Sequence, residues 1–338
     1  MDTKKNIITY LHKSGWLEQH TSQILEDVSF LAAGEYNENW LITVTTEHDS
    51  TRHQKYVFRI NHGSQLELDT KQIAYEFSIL QALQNSGVTP QPLFVDNSAE
   101  TLASGFDHGV LLMEYLPGEP LDYRQDLDRA AHIFAAIHTQ PVPEDHSFIH
   151  QQNPVADIVT ESLGLLERFK QHPKIDLRRK LEAYSEEITR LGEQYASAFA
   201  AEPQLIVNTE VNSGNFIINR AQDTAHLVDW EKAVVSCRYQ DLGHFIVPTT
   251  TLWKTDFIAS PEHRLQFLTQ YKKHAGLSQS LEELSILTGV LEKTITLRGL
   301  SWCYMAWYEY TRQNRTLKNN DTFATIERYL DNLEWFLQ

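Results

Sequence analysis

The stretch from Leu205 to Glu231, LIVNTEVNSGNFIINRAQDTAHLVDWE, constrains the chain more than any other. A short apolar run, Leu205-Ile206-Val207, leads into a polar loop from Asn208 to Asn215. Two further apolar runs follow, Phe216-Ile217-Ile218 and Leu227-Val228 with Trp230, separated by the turn-prone segment Asn219 to Thr224. Two strand-like runs flanking a polar turn spell a hairpin. With the turn centred on Gln222, Asn215 stands opposite Asp229 at the open end, and Glu210 lies upstream in the loop entering that end. An amide and two carboxylates delivered to one place by apolar strands suggest a hard cation, Mg²⁺, held together with phosphate oxygens.

Upstream, Asn6 to Leu17 has helical spacing. Val28 to Val44 reads as two strands joined by a loop from Ala32 to Asn39. In the strand Tyr56 to Ile60, Tyr56, Phe58 and Ile60 face one way and Val57 and Arg59 the other. Thr70 to Asn85 reads as a helix with the apolar stripe Ile73, Phe77, Leu80 and Leu83. Glu76 falls inside that stripe. A carboxylate turned inward needs a partner, and Arg59 is the candidate. Gly109 to Tyr115 is a nearly continuous apolar run that breaks at Leu116-Pro117-Gly118, as a strand entering a hinge does. Asp126 to His138 is helical, with Ala130, Ile133, Phe134 and Ile137 inward, and Ile158 to Ala201 reads as a long charged helical region. His146 and His150 are four residues apart but have no third ligand beside them, so they do not read as a metal site. The tail from Leu284 to Arg312 is helical and aromatic, with Trp302, Tyr304, Trp307, Tyr308 and Tyr310. Most such rings are core. A cation–π wall, with Glu309 adding charge, is the sharper alternative. There is neither a Walker phosphate loop nor a dinucleotide-binding glycine fingerprint.

The Leu205–Glu231 stretch resembles the active-site segment of the aminoglycoside phosphotransferases and choline kinases, which are protein-kinase-like small-molecule kinases. Their pattern is His-Gly-Asp, four residues, Asn, then a hairpin ending in Asp-Trp or Asp-Phe. Asn215 and Asp229 fall on the metal-binding pair, Glu210 on the catalytic Asp and Asn208 on the His. The last two are departures: the carboxylate is one methylene longer, and the His is replaced by an amide. In the kinase template this carboxylate orients the substrate hydroxyl and accepts its proton. The resemblance implies that Gly34 and Asn37 lie in a phosphate-covering loop. It implies that Arg59 and Glu76 form the strand-cation to helix-glutamate pair at the phosphates. It also places the backbone of Glu114 and Leu116 at the adenine edge, Met113 behind it, and Asp241 as a structural brace of the catalytic loop.

These readings give an α+β, bilobal, protein-kinase-like chain. Residues 1–113 form a small β-rich N-lobe with one main helix, 114–118 a hinge and 119–338 a larger, mostly helical C-lobe. The expected activity is phosphoryl transfer from ATP or GTP, with Mg²⁺, to a hydroxyl of a small molecule that is aminoglycoside-, choline- or sugar-like. The alternative, fed by Glu210 and Asn208, is a catalytically impaired nucleotide-binding pseudokinase acting through its conformation. The 45 acidic against 29 basic side chains, net −16, argue against nucleic acid or an anionic membrane as partner and permit a cationic substrate. Two distant cysteines, Cys237 and Cys303, fit a reducing cytoplasm, as does a start without a secretory apolar core.

Overall fold

The computed structural model describes residues 2–19, 23–34, 36–46, 49–64, 66–312 and 320–338. The chain divides into two compact units. The first comprises Met1–Gly118 together with the short segment Val228–Lys232, and the second comprises Glu119–Leu227 and Ala233–Gln338.

The first unit begins with helices α1 (Thr3–Lys13) and α2 (Trp16–Gln19). Strands β1 (Gln23–Ala33), β2 (Asn37–Thr46) and β3 (Asp49–Asn61) follow. Then come α3 (Gln72–Leu83), β4 (Pro92–Asp96), α4 (Ala99–Ala103) and β5 (Val110–Glu114). The strands form one antiparallel sheet in the order β1-β2-β3-β5-β4. Strand alternation sorts the side chains onto two faces. Val28, Ile42, Val44, Phe58, Ile60, Val110 and Leu112 pack with Ile7, Tyr10 and Leu11 of α1 in one core. Val57, Arg59, Leu111 and Met113 occupy the alternate positions. The three long strands exceed their expected lengths because their outer halves, as at Thr43 and Lys55, pair through the backbone while carrying half-buried or exposed polar side chains. Strand β4 was not anticipated at all, since its residues are only partly buried and carry no apolar alternation. On α3 the inward apolar positions are Ile73, Ile79, Leu80 and Leu83, and Phe77 is only half-buried. Gly109 has φ +100°, and a Cβ there would meet the Asp96 carbonyl at 2.6 Å. Only glycine fits that entry into β5.

The second unit opens with β6 (Glu119–Pro120), α5 (Leu127–His138), α6 (Pro154–Glu167), α7 (Ile175–Gln194) and α8 (Ala196–Ala200). Strands β7 (Leu205–Val207), β8 (Phe216–Asn219), β9 (Thr224–Leu227) and β10 (Val234–Ser236) come next. Helices α9 (Tyr239–Ile246), α10 (Pro248–Lys254), α11 (Pro261–His274), α12 (Leu281–Arg312), α13 (Asn320–Asp331) and α14 (Leu333–Phe336) complete it. The long helix α12 packs against α6, α7, α9, α11 and α13. Gly243 lets α9 approach it, because a Cβ would lie 3.0 Å from the Glu292 nitrogen. The expected continuous helical region after Ile158 is broken between α6 and α7, where Pro173 cannot continue a helix. No helix among the described residues is long and apolar enough to cross a membrane.

The hairpin forms, but one residue out of the expected register. Phe216 pairs with Leu227 and Asn219 with Thr224, so the ladder does not pair Asn215 with Asp229. The turn holds four residues, 220–223, and Asp223 takes the left-handed conformation at φ +52°. An even loop centres the hairpin between residues rather than on Gln222.

Beside the Pro173 break, His172 is buried with its ring 3.6 Å from that of Tyr304, centre to centre. Nε2 donates to the Tyr304 carbonyl at 2.9 Å, and Nδ1 accepts the Lys174 amide at 3.1 Å. Both nitrogens are used by the neutral ring, and burial holds its pKa down at about 4. The unfolded chain, with an ordinary value near 6.5, therefore binds more protons between pH 6.5 and 4, so this ring withdraws stability as pH falls through that window. We expect a declining denaturation midpoint from pH 6.5 towards 4, and a flatter profile for His172→Asn. An unchanged profile in that variant would remove His172 as its source.

Candidate active site

Within the first unit, Arg59 projects from β3 to the α3 side of the sheet and Glu76 projects from α3. Arg59 Nη1 lies 2.5 Å from Glu76 Oε1 and 3.0 Å from Asp229 Oδ1. Its Nε donates to Asn39 Oδ1 at 3.0 Å. The Trp230 amide donates to Glu76 at 3.3 Å, so the segment after the hairpin is tied to the same pair. Burial pulls the Arg59 guanidinium down, but Glu76, Asp229 and Glu231 outweigh it and raise it above the ordinary arginine value. Burial pushes the Glu76 carboxyl above the usual carboxylate range, against the pull of Arg59 and the Trp230 amide.

Glu231 was not singled out from the sequence, although it closes the Asp-Trp-Glu run. It is buried and accepts Asn37 Nδ2 at 2.5 Å, while its carbonyl accepts Gln72 Nε2 at 2.7 Å. Asn61 Nδ2 in turn donates to Asn37 Oδ1 at 2.8 Å. Both functional atoms of the Asn37 amide are thus engaged, so its side chain braces the start of β2 instead of facing a phosphate. Gly34 is exposed at the end of β1, where its amide donates to the Asn37 carbonyl at 2.9 Å, and Glu35 lies outside the described residues. Carboxylate oxygens of Asp229 and Glu231 approach within 4.8 Å of each other. One guanidinium therefore faces Glu76, Asp229 and Glu231. The excess of two negative charges and the all-oxygen donor set fit a divalent hard cation such as Mg²⁺. At the end of β5, Met113 is buried and the Glu114 amide is donated to the Gln91 carbonyl at 2.9 Å. The Leu116 amide has no partner among the described residues.

Within the second unit, the loop after β7 is built on a buried carboxylate. Asp241, at the start of α9, accepts the amides of Asn208 and Thr209, each at 3.0 Å. His138 Nε2 lies 3.2 Å from the same carboxylate, and its Nδ1 is 2.9 Å from the Tyr271 hydroxyl. Thr209 sits at φ +65°, a conformation costly for a β-branched side chain and retained where its surroundings over-determine it. Asp241 fixes its amide, and Arg298 of α12 donates to its carbonyl at 3.1 Å. Asn208 Oδ1 accepts the Glu210 amide at 2.9 Å, closing a tight turn that sets the direction in which Glu210 leaves the backbone. Asn215 Nδ2 donates to the Glu210 carbonyl at 2.6 Å. That bond orients the Asn215 amide, so Oδ1 is the atom left for a cation.

The model of the phosphotransferase enzyme family matches residues 27–283 of the chain. The chain belongs to that family. No curated protein matches it in sequence. Among solved structures, it is similar to a Plasmodium vivax ethanolamine kinase, with a TM-score of 0.62, 14% identity and coverage of 98% of this chain and 89% of the other. It is also similar to a thermostable mutant of the aminoglycoside phosphotransferase APH(4)-Ia, with a TM-score of 0.60, 12% identity and coverage of 99% and 98%. A third likeness is to the ADP-bound aminoglycoside phosphotransferase APH(2'')-Ib, with a TM-score of 0.55, 13% identity and coverage of 96% of each chain. At these identities the likeness shows the fold, which is that of the protein-kinase-like phosphotransferases.

The aromatic tail of this family member does not form one wall. Trp302 packs edge-on against Trp253, ring centres 5.9 Å apart. Trp307 and Tyr308 pack instead around His172, at 5.3 and 5.4 Å. Five helical residues turn about 140°, which sends the two groups to different sides of α12. Lys174 already covers the Trp307 ring at 5.0 Å, and Arg168 lies 3.3 Å from Glu309. Arg298 is the residue of α12 that reaches the Glu210 loop, through the Thr209 carbonyl, and Trp302 follows it one helical turn on. Arg298 carries a sequence signal like that of Glu76, a charge between the buried positions Leu297 and Leu300 of α12. Glu76→Ala should take the nearest carboxylate from a buried guanidinium, leave the Trp230 amide without its acceptor, and lower unfolding free energy by about 3 kcal/mol, measured by chemical denaturation. Glu76→Gln, which keeps the shape and one acceptor, should cost less; equal stability of Glu76→Ala and wild type would contradict the pairing.

Proposed function

We propose that the chain transfers the terminal phosphoryl group of ATP or GTP to a hydroxyl of a small molecule, with Mg²⁺. The observation that carries this reading is the over-determined loop from Asn208 to Asn215, which presents a carboxylate and an oriented amide oxygen at fixed backbone positions. In the first unit, Arg59 would hold nucleotide phosphates, with Glu76 fixing the guanidinium. The Leu116 amide and the Glu114 carbonyl would meet the base, with Met113 behind it, and the backbone near Gly34 would lie over the phosphates. Asp229 and Asn215 would bind the cation, with Glu231 as an added carboxylate. Bound there, Mg²⁺ would neutralise charge on the transferring phosphate. Glu210 would orient the acceptor hydroxyl and take its proton. Its extra methylene is accommodated by a backbone turn that Asn208, Thr209 and Asp241 set together.

The departure at Glu210 also favours a second reading, a protein that binds nucleotide and transfers nothing. The two separate in a pair of measurements. Mg²⁺ with ATP or GTP should raise the melting temperature, because a ligand selective for the folded chain stabilises it by mass action. Asp229→Ala should abolish the metal-dependent part. In a screen of amino alcohols, sugars and aminoglycosides for stimulated ADP release, Glu210→Gln should lose about 10²-fold or more of turnover and keep the nucleotide shift. Nucleotide stabilisation without release by any compound supports the second reading. No stabilisation at millimolar nucleotide defeats both.

A further inference from the structure

Six arginines among the described residues are buried or half-buried: Arg59, Arg129, Arg178, Arg238, Arg264 and Arg298. The first five each lie against a carboxylate: Glu76, Asp223, Glu182, Glu202 and Glu292 respectively. Arg298 does not. Its Nη2 donates to the Thr209 carbonyl at 3.1 Å and lies 3.2 Å from His244 Nδ1. In a chain with 45 acidic side chains against 29 basic ones, a half-buried guanidinium without a carboxylate partner among the described residues is conspicuous. Partial burial strips it of water, and a carboxylate would be its usual compensation. A guanidinium has five N–H groups. The two on Nη2 serve Thr209 and His244, which leaves those on Nε and Nη1.

The position matters as much as the charge. The Thr209 carbonyl belongs to the peptide that joins Thr209 to Glu210, so Arg298 is anchored one peptide from the carboxylate assigned to the acceptor hydroxyl. Trp302 lies one helical turn further along the same stripe of α12 and is also half-buried. Trp253 packs edge-on against it at an interplanar angle of 75°, supplying a flat apolar surface beside the guanidinium. The groups that would have favoured a cation from this helix are spent elsewhere, Glu309 on Arg168 and the Trp307 face on Lys174.

We propose that Arg298 is the specificity anchor for an oxyanion on the acceptor. The substrate is then a hydroxyl-bearing small molecule that also carries a carboxylate or phosphate group, read by the free Nε and Nη1 donors while Trp302 packs against its carbon frame. This rests on the phosphotransferase reading for its orientation of the hydroxyl, but anion capture by Arg298 is a binding property and can be scored without transfer.

The test uses matched compounds that differ in the anionic group: L-homoserine and 3-aminopropanol, L-serine and ethanolamine, glycerol 3-phosphate and glycerol. Each is measured by thermal shift and by ADP release with Mg²⁺-ATP, for wild type, Arg298→Lys and Arg298→Gln, with the nucleotide shift as the check that each variant is folded. Hydrogen bonds to a charged group contribute about 1.5–3 kcal/mol. The acid member of at least one pair should therefore be preferred by about tenfold or more in wild type. That ratio should fall towards one in Arg298→Gln, through KM, and be partly kept in Arg298→Lys. The carboxylate and phosphate pairs distinguish the two sources of the oxyanion. If no acid stabilises wild type more than its neutral counterpart, or if Arg298→Gln leaves the ratio unchanged, Arg298 is a cross-link between α12 and the loop and the proposal fails. A protein that binds the acids through Arg298 but releases no ADP would retain this inference and lose the phosphotransferase reading.

Discussion

The guanidinium of Arg59 joins parts of the chain that are 170 residues apart in sequence. It is buried in the first unit, and a buried charge is tolerable only when paired and hydrogen-bonded. Glu76, Asp229 and Asn39 meet that demand together. Because Glu76 also accepts the Trp230 amide, and because Glu231 binds Asn37 and Gln72, the segment Val228–Lys232 is held from both ends. An Asp229 at φ +67° has no regular strand to fix it, so this polar lattice is what defines its side-chain direction. Such a lattice contributes little net stability relative to an apolar core and a great deal of specificity in where its carboxylates stand.

The loop in the second unit solves a related problem with the opposite charge. There a buried carboxylate, Asp241, collects backbone amides, and Arg298 takes up the carbonyl that follows. Thr209 needs both, because its left-handed backbone is unfavourable for a β-branched residue. The pieces that could do chemistry, Glu210 and Asn215, are short extensions from this scaffold.

Much of this was legible in the sequence where a local rule and a long-range need coincide. Glu76 inside an apolar helical stripe announced a buried partner, and strand alternation put Arg59 on the matching face. The family pattern pointed to Asp241 as the brace of the loop, as its bonds to the Asn208 and Thr209 amides show. Legibility failed where geometry depends on the turn. A four-residue loop moved the hairpin register by one, and no composition signal distinguishes that from a five-residue loop. It failed again for Asn37, since whether an amide faces a ligand or a neighbouring glutamate is decided by Glu231 and Asn61, remote in sequence. The alternative of a single aromatic wall on the tail fails because helical rotation separates Trp302 from Trp307, while the core reading of such rings fits their packing.

The first unit is not a contiguous piece of chain: its last five residues, Val228–Lys232, come after β6–β9 and α5–α8 of the other unit. A fragment ending at Gly118 would keep the Arg59–Glu76 pair but lack Asp229, the Trp230 amide that caps Glu76, and the Glu231 that holds Asn37 and Gln72. The same holds for a nascent chain. At about 5–20 residues per second, the interval between completing Gly118 and delivering Lys232 is on the order of ten seconds. Throughout it the Arg59–Glu76 pair is without its second carboxylate and the Trp230 amide, and Asn37 and Gln72 are without Glu231. The sheet can collapse early, but its charged interior can be finished only when a short stretch from the far side of the sequence arrives.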